Sequence, residues 1–543
     1  MRHNELRDNS TRGICFPSCM IRALPILALV FVLGHLNASA QTYNARTDVT
    51  PQAYPSTIPC PSAAGCSGGG ALTGQGYCFT PGDFNTTICR ATDINAGGPK
   101  PDYGAGCSGS AEISLMDNSD TRFTVCSAGN EDQVESFNPS THAIATLYPT
   151  QGPANDGALG GCGSGATFTY GTTLFFSFTQ AQIAYAESFL SNGDPAICQY
   201  NFTSATTMPS YSNGGITSVV DLSTCVSAMA GVGYSTYTDD VSVSGDDQTF
   251  AALGSTTGGQ GSTGAVYVIV WNRTTGCRVW NALTGAVTGS WGPTGTINIT
   301  DKFYLHNVRI NKAGTAIKVT QNTCAPSPGG CTANTNIYVW PISGLTVNRI
   351  IADSTDGCGH TVIGALNTMN DCGNLSGSRG YFQLRPFSSN DQGGTSILST
   401  YPSAFNNEDG HFSWAEDNGS DTNPVFAALY TGTFEATDAW DNEILGLRTD
   451  GSGTAYRFAH NYITGLDTEN FGAEYGIGSV SQDGKYFIWG SDWDGMLGQI
   501  GGGSASCTIG TNCRADVFIA VLPFNNPSGS ASPPLSLRVV SIQ

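Results

Sequence analysis

The sequence predicts an all-β protein: a single β-propeller, seven-bladed, with six or eight blades as the alternatives. Three observations predict it. Gly478 to Leu522 reads as one blade, with Ser479-Val480-Ser481, a turn at Gln482-Asp483-Gly484-Lys485, then Tyr486-Phe487-Ile488-Trp489 and, after a loop, Arg514 to Leu522. An Asp-Gly pair between two apolar-rich runs signals a hairpin, because glycine accepts the positive φ that a tight turn demands. The stretch also recurs. Ser242 to Phe250 aligns with Ser479 to Phe487 without a gap, Val308 to Ile317 is a third copy, and Phe176 to Gln180 is a degenerate fourth. Ser177, Ser244 and Asn311 stand 67 residues apart, and such a period marks one repeated supersecondary unit. Finally, the chain is rich in glycine and no long stretch carries the 3.6-residue period of helices. A long β-sandwich with coincidental hairpins is the competing fold.

Taken in order, the chain opens with Arg2, Arg7, Arg12 and Arg22, an apolar run from Ala23 to Leu36, and Ala38-Ser39-Ala40 before Gln41. That order is the signature of an export signal over residues 1–40, with a run too short to span a membrane. A secreted or periplasmic location follows, with no membrane span in the mature chain. Without residues 1–40 the chain keeps 18 basic and 40 acidic residues, a net charge of −22. Such a surface argues against nucleic acid and anionic lipid as partners. The expected partners are an extracellular glycan, a peptide or a protein.

Sixteen cysteines follow the signal, an even number that suits an oxidising compartment. Five pairs lie close in sequence: Cys60 with Cys66, Cys78 with Cys89, Cys324 with Cys331, Cys358 with Cys372, and Cys507 with Cys513. Each would staple one loop. Residues 41–110, rich in Gly, Pro, Ser and Cys, read as an irregular extension. The propeller is expected over 111–525 and a tail over 526–543.

Within the propeller the anchors fall near Leu115, Ser177, Ser244, Asn311, Val362, Ser413 and Ser481. Strands are expected at Phe123-Thr124-Val125, Ile183-Ala184-Tyr185, Val266 to Trp271, Cys277 to Asn281, Ile337 to Trp340, Val425 to Tyr430 and Glu443 to Arg448. The fifth unit, around His360 to Phe387, has the weakest pattern. A closed ring needs one blade completed by a strand from elsewhere in the chain, because an open blade leaves an unpaired edge. That strand is expected near residue 110 or from Leu535 to Ile542. Ser479 to Trp489 with Arg514 to Leu522, Trp440 to Arg448 with Tyr456 to His460, and Leu305 to Arg309 resemble secreted bacterial propellers of the TolB-like and WD40-like kind. The resemblance implies an architecture and leaves the activity open.

No GxSxG elbow, HExxH motif or P-loop occurs. A binding or scaffold module is therefore the leading functional reading. The histidines support an alternative. His306 and His411 each precede a glycine by eight residues, and His360 heads the unit between them, so these imidazoles from neighbouring blades could meet at one mouth of the ring. With His460 they form the candidate ligand set for a divalent metal ion, in a metal-assisted polysaccharide lyase or hydrolase. Trp414 and Trp493, where exposed, would stack on sugar rings, although packing between blades is the commoner use of tryptophan. Asp417-Asn418-Gly419-Ser420-Asp421 has the close oxygen spacing of a Ca²⁺ loop without the EF-hand pattern, and a solvated turn is the simpler reading. The same holds for Asp492 to Gly495 and for Asp239-Asp240.

Overall fold

The computed structural model describes residues 40–52, 74–93, 103–104, 112–127, 131–148, 159–166, 174–231, 241–256, 265–299, 302–324, 336–351, 360–371, 382–389, 395–398, 409–430, 439–463, 477–497 and 514–525. Among these, the strands fall into seven antiparallel sheets that follow one another along the chain, each built from consecutive hairpins. The first blade holds Tyr103–Gly104, Arg122–Ser127, Glu131–Phe137 and Ile144–Thr146, and the second Phe175–Phe176, Ile183–Phe189, Pro195–Asn201 and Ile216–Asp221. The third extends beyond four strands, from Ser242–Val243 through Thr249–Ser255, Ala265–Asn272, Gly276–Asn281 and Ala286–Gly289 to Gly295–Thr296. The fourth holds Phe303–Ile310, Ala316–Cys324, Ile337–Pro341 and Asn348–Ile351. The weakly patterned fifth is a full blade of Thr361–Ile363, Asn367–Asp371, Phe382–Pro386 and Thr395–Ser396. The sixth holds Asp409–Ser413, Val425–Tyr430, Glu443–Leu447 and Ala455–His460, and the seventh begins with Gly478–Val480, Tyr486–Ser491 and Asp516–Val521.

The register locates the anchors. Val243 pairs with Phe250, Ile310 with Ile317, Ile363 with Thr368, Ser413 with Phe426 and Val480 with Phe487. The next residue in each blade starts the inner turn, so the equivalent positions are Asp117, Ser177, Ser244, Asn311, Gly364, Trp414 and Ser481. Three anchors therefore move by one or two residues, from Leu115 to Asp117, from Val362 to Gly364 and from Ser413 to Trp414. The reason for a small polar residue here is visible. Asn311 Oδ1 accepts from the Thr315 and Ala316 amides at 2.8 and 2.9 Å, and Ser481 Oγ from those of Lys485 and Tyr486 at 3.1 and 3.0 Å. Asp117 Oδ1 accepts from Thr121 and Arg122 in the same way. A short oxygen-bearing side chain satisfies backbone donors that the tight turn leaves unpaired. Gly314 and Gly484, at φ +69° and +78°, supply the left-handed residue in two of these turns.

The blades pack through aromatic pairs. Tyr185 meets Phe250 across blades 2 and 3, Trp280 meets Trp340 across blades 3 and 4, Phe382 meets Phe412 across blades 5 and 6, and Phe426 meets Phe487 across blades 6 and 7. Phe137 and Tyr486, edge to face at 4.9 Å, join the first blade to the seventh. Each such pair adds roughly 0.5–1.5 kcal/mol beyond the burial of its apolar area.

Closure uses a strand from an unexpected place. Thr87–Arg90 pairs antiparallel with Asp516–Val521 and completes the seventh blade, and Cys78–Phe79 adds outside it. The closing strand thus comes from within the extension rather than from near residue 110; Leu535 to Ile542 lie outside the described residues. Thr87-Ile88-Cys89-Arg90 is short, and its apolar Ile88 is fully buried. Arg90 then locks the joint, donating Nε to Asp516 Oδ2 at 2.8 Å with both side chains buried.

Cys78 and Cys89, directly opposite in that hairpin, form the disulfide expected for them. Two further bridges, Cys162–Cys198 and Cys225–Cys277, span 36 and 52 residues and differ from the expected pairs. They join cysteines far apart in sequence, which the folding of the blades brings together and a rule of short loops does not find. Cys126 is disulfide-bonded as well. Of the other expected pairs, Cys60 and Cys66, Cys358 and Cys372, and Cys507 and Cys513 lie outside the described residues. So does Cys331, while its expected partner Cys324 ends a described strand with its side chain outside the description. Asp239-Asp240 also falls outside the described residues. Cys225–Cys277 ties the turn after blade 2 to the fourth strand of blade 3. Cys225→Ser with Cys277→Ser is expected to lower unfolding stability by about 2–4 kcal/mol in a denaturant titration, as suits a loop of that length. No described helix is long and apolar enough to cross a membrane.

Candidate functional site

The residue after each anchor sits where the seven inner turns converge. These residues are Asn118, Phe178, Gly245, Lys312, Ala365, Ala415 and Gln482, and they bond to one another's blades. Asn118 Nδ2 donates to Phe178 O at 3.0 Å, the Gly245 amide to Lys312 O at 2.7 Å, and Gln482 Nε2 to Ser177 O at 3.0 Å and Ser114 Oγ at 2.8 Å. Lys312 reaches furthest. From blade 4 its ammonium donates to Ala415 O at 2.7 Å and Asp417 O at 2.9 Å on blade 6, and it lies 4.8 Å over the Phe178 ring of blade 2. A side chain that touches blades 2 and 6 from blade 4 lies at the centre of the ring. Gly245 makes room for it, since a Cβ there would stand 2.7 Å from Lys312 Cγ.

Behind this rim a cavity is lined from six blades, with Ile113, Phe175, Val243, Val362 and Trp414 as apolar wall and Lys312 and Asp417 as polar edge. Its far side is charged. Glu112 of blade 1 crosses to blade 4, where it pairs with Lys318 and lies 3.9 Å from Arg309 Nε, and Lys318 also donates to Thr361 O at 2.8 Å. Apolar walls with a few fixed polar groups are the usual make-up of a small-ligand site.

The acidic loop of blade 6 builds one edge of the rim. Asp421 accepts from the Ala365 amide at 2.6 Å, the Leu366 amide at 2.9 Å and Asn367 Nδ2 at 2.7 Å, and Asp417 Oδ2 accepts from Ala365 N at 2.9 Å. These carboxylates bind blade 5, so the loop is a buried inter-blade clamp and neither a solvated turn nor an open cation loop. Burial, and then the neighbouring Asp421 carboxylate, push Asp417 up to about 9. Burial raises Glu416 well above the usual carboxylate range and lowers Lys312, against the pull of Asp417 and Glu416.

The histidines divide. His360, just ahead of the inner strand of blade 5, and His411, within that of blade 6, lie with ring centroids 3.8 Å apart. His306 is exposed on the inner strand of blade 4. His460 is fully buried in the outermost strand of blade 6, edge-on to Phe84 at 5.3 Å. Two imidazoles thus adjoin, and among the described residues no three His, Cys, Asp or Glu side chains gather as a metal site. A bound transition metal commonly takes three or more protein donors, of which the described residues bring these two together. The tryptophans are enclosed. Trp493 is fully buried against Phe518 and Tyr462. Trp414 is 4% exposed, donates Nε1 to Asn423 O at 3.0 Å and presents its ring as cavity wall.

Sequence reasoning missed Lys312 and Phe178. The signal was available, because aligned anchors place both at the next position, where Gly245 and Gln482 stand in other copies.

No protein-family model matches the chain, and no curated protein matches it in sequence. Solved structures do. An oligogalacturonate lyase from Vibrio parahaemolyticus is 10% identical over 82% of this chain and 96% of its own, with a TM-score of 0.48. A luciferin-regenerating enzyme is 8% identical over 80% of this chain and 95% of its own, with a TM-score of 0.34. TolB from Acinetobacter baumannii is 12% identical over 70% of this chain and 65% of its own, with a TM-score of 0.27. The chain is a seven-bladed β-propeller.

Proposed function

We propose that this propeller is an exported, non-catalytic binding module whose ligand enters the central cavity at the Lys312 rim. The cavity itself is the observation that carries the reading: six blades contribute to one apolar pocket edged by the half-buried Lys312 ammonium. Its space, about 50 Å³, suits the tip of an apolar side chain or the edge of a sugar, and Lys312 suits an acceptor oxygen on the same ligand. An extracellular glycan, peptide or protein loop can present both. The disulfides and the signal-like residues 1–40 support action outside the cytoplasm. Screening the purified protein against glycan and peptide arrays, with product formation followed in parallel, tests this. Binding without turnover is expected; empty arrays together with cleavage of any polymer overturn it.

The second reading, a metal-assisted polysaccharide lyase or hydrolase, draws on the His360–His411 pair. Elemental analysis of the purified protein decides it. A stoichiometric transition metal that is lost from His360→Ala and His411→Ala favours it, and metal-free protein removes it.

A further inference from the structure

The first residue after the export signature is docked into the blade 6 and 7 turns. The Gln41 amide donates to Asn423 Oδ1 at 3.1 Å, its Nε2 donates to Asp483 O at 3.1 Å, and its Oε1 lies 3.0 Å from the Tyr43 hydroxyl. Tyr43, 4% exposed, is fixed in turn by Gly484 O at 2.8 Å. Asn423 faces both ways: its Nδ2 donates to the backbone oxygen of Glu416 at 2.7 Å. Glu416 is 3% exposed, and no other residue donates a hydrogen bond to either of its carboxylate oxygens. Lys312, the cation facing it, gives two of its three protons to the Ala415 and Asp417 carbonyls and acts on Glu416 only through its charge. Of the other charged groups near Glu416, Asp417 and Asp483 are acidic, and its charge also reaches the Tyr43 hydroxyl. Burial therefore favours the protonated form of Glu416, and a cation bonded directly to it would favour the carboxylate.

We propose that cleavage between Ala40 and Gln41 supplies that cation, and that Glu416 with Asn423 forms the binding site for the mature chain's own α-ammonium group. The inference rests on the export reading of residues 1–40. Hydrolysis by a signal peptidase adds one water across the Ala40–Gln41 bond, leaving a carboxylate on Ala40 and an amine on Gln41 that takes up a proton near neutral pH. Where the uncut chain offers Asn423 a single amide proton, the cut chain offers three donors and a positive charge, and that charge favours the ionised form of a Glu416 that burial otherwise holds as the acid. The docking also preserves the amine. An N-terminal glutamine loses ammonia when its α-nitrogen attacks the side-chain carbonyl, and here both ends of the Gln41 amide are engaged by Tyr43 and Asp483.

The test uses full-length protein exported from a host and an exported variant with one alanine inserted between Ala40 and Gln41. N-terminal sequencing and intact mass are expected to show a chain beginning at Gln41 with no ammonia lost. Glu416→Gln is expected to lower Tm by several degrees in the native-start protein and to change little in the inserted one. Should Glu416→Gln not fold, amine-selective labelling of wild-type protein gives the second readout, with the Gln41 amine at least tenfold slower in the native than in the denatured state. Cleavage at another bond overturns the premise. A cyclised Gln41, equal effects of Glu416→Gln in both proteins, or equal labelling rates overturn the pairing while leaving export intact.

Discussion

Arg90→Ala is expected to lower unfolding stability by about 3–5 kcal/mol, the cost of breaking a buried ion pair from one side. Arg90 and Asp516 are 3% and 0% exposed, and Arg90 is the last residue of the strand that closes the ring. Truncating it removes the guanidinium from the Asp516 carboxylate, leaving it Arg514 at 3.1 Å and Thr92 Oγ1 at 3.3 Å, and loosens the edge that joins Thr87–Arg90 to the seventh blade. Arg90→Lys should recover only part of the loss, because one ammonium cannot replace the guanidinium fork. Arg448, paired with Asp450 at the surface, is the control, and its truncation should cost less than about 1 kcal/mol. Urea titrations of the three variants check this. A cost for Arg90→Ala as small as the control's would mean that the closing strand does not hold the ring.

The second large effect is on pH. Burial pushes Glu135 up to about 8 despite hydrogen bonds from Gln133, Thr146 and Gln75, and Asp417 rises to about 9. In the unfolded chain both titrate near 4. Between those values the native state holds protons that the unfolded state has released. The stability they give is complete below about pH 4 and is lost as pH rises to between about 8 and 9. Within that window each group takes away about 1.4 kcal/mol per pH unit. Denaturant titrations at pH 5, 7 and 9 should therefore show falling stability, and Glu135→Gln and Asp417→Asn should each flatten the slope. Stability that is flat or rises over this range would contradict the burial of these groups as acids.

The ring was legible in the sequence because its inner turns need particular chemistry. Ser244, Asn311 and Ser481 each place a short oxygen-bearing side chain against turn amides, and the last two are followed three residues later by the glycine that bends the chain. Asp117 meets the same need, but Leu115 lies on the apolar pattern and drew the anchor two residues early. Gly364 and Trp414 carry no such oxygen, so their copies left only the strands as a guide. The closing strand was hidden by its brevity, and by cysteines at 78 and 89 that read as a loop staple when they in fact face each other across a hairpin. At the site, the histidines of adjacent inner strands gave the true proximity of His360 and His411. His460 shares a blade with His411 but lies three strands out, a distance that residue spacing within a blade does not encode. Lys312 was missed because a lysine in a turn reads as solvated, and only the convergence of seven turns on one axis buries it.

Ligand bound in the cavity behind Lys312 must lose affinity when that cavity is filled or its cation removed. Val243 lines that cavity and is 1% exposed, so Val243→Phe fills it while Lys312→Met removes the rim cation. The decisive measurement is a calorimetric titration of wild type, Val243→Phe and Lys312→Met with whichever array ligand binds the wild type, on variants whose circular dichroism matches it. A loss of affinity of at least tenfold in both variants is the predicted result. Unchanged affinity in both would place the ligand elsewhere on the propeller and contradict binding in the cavity.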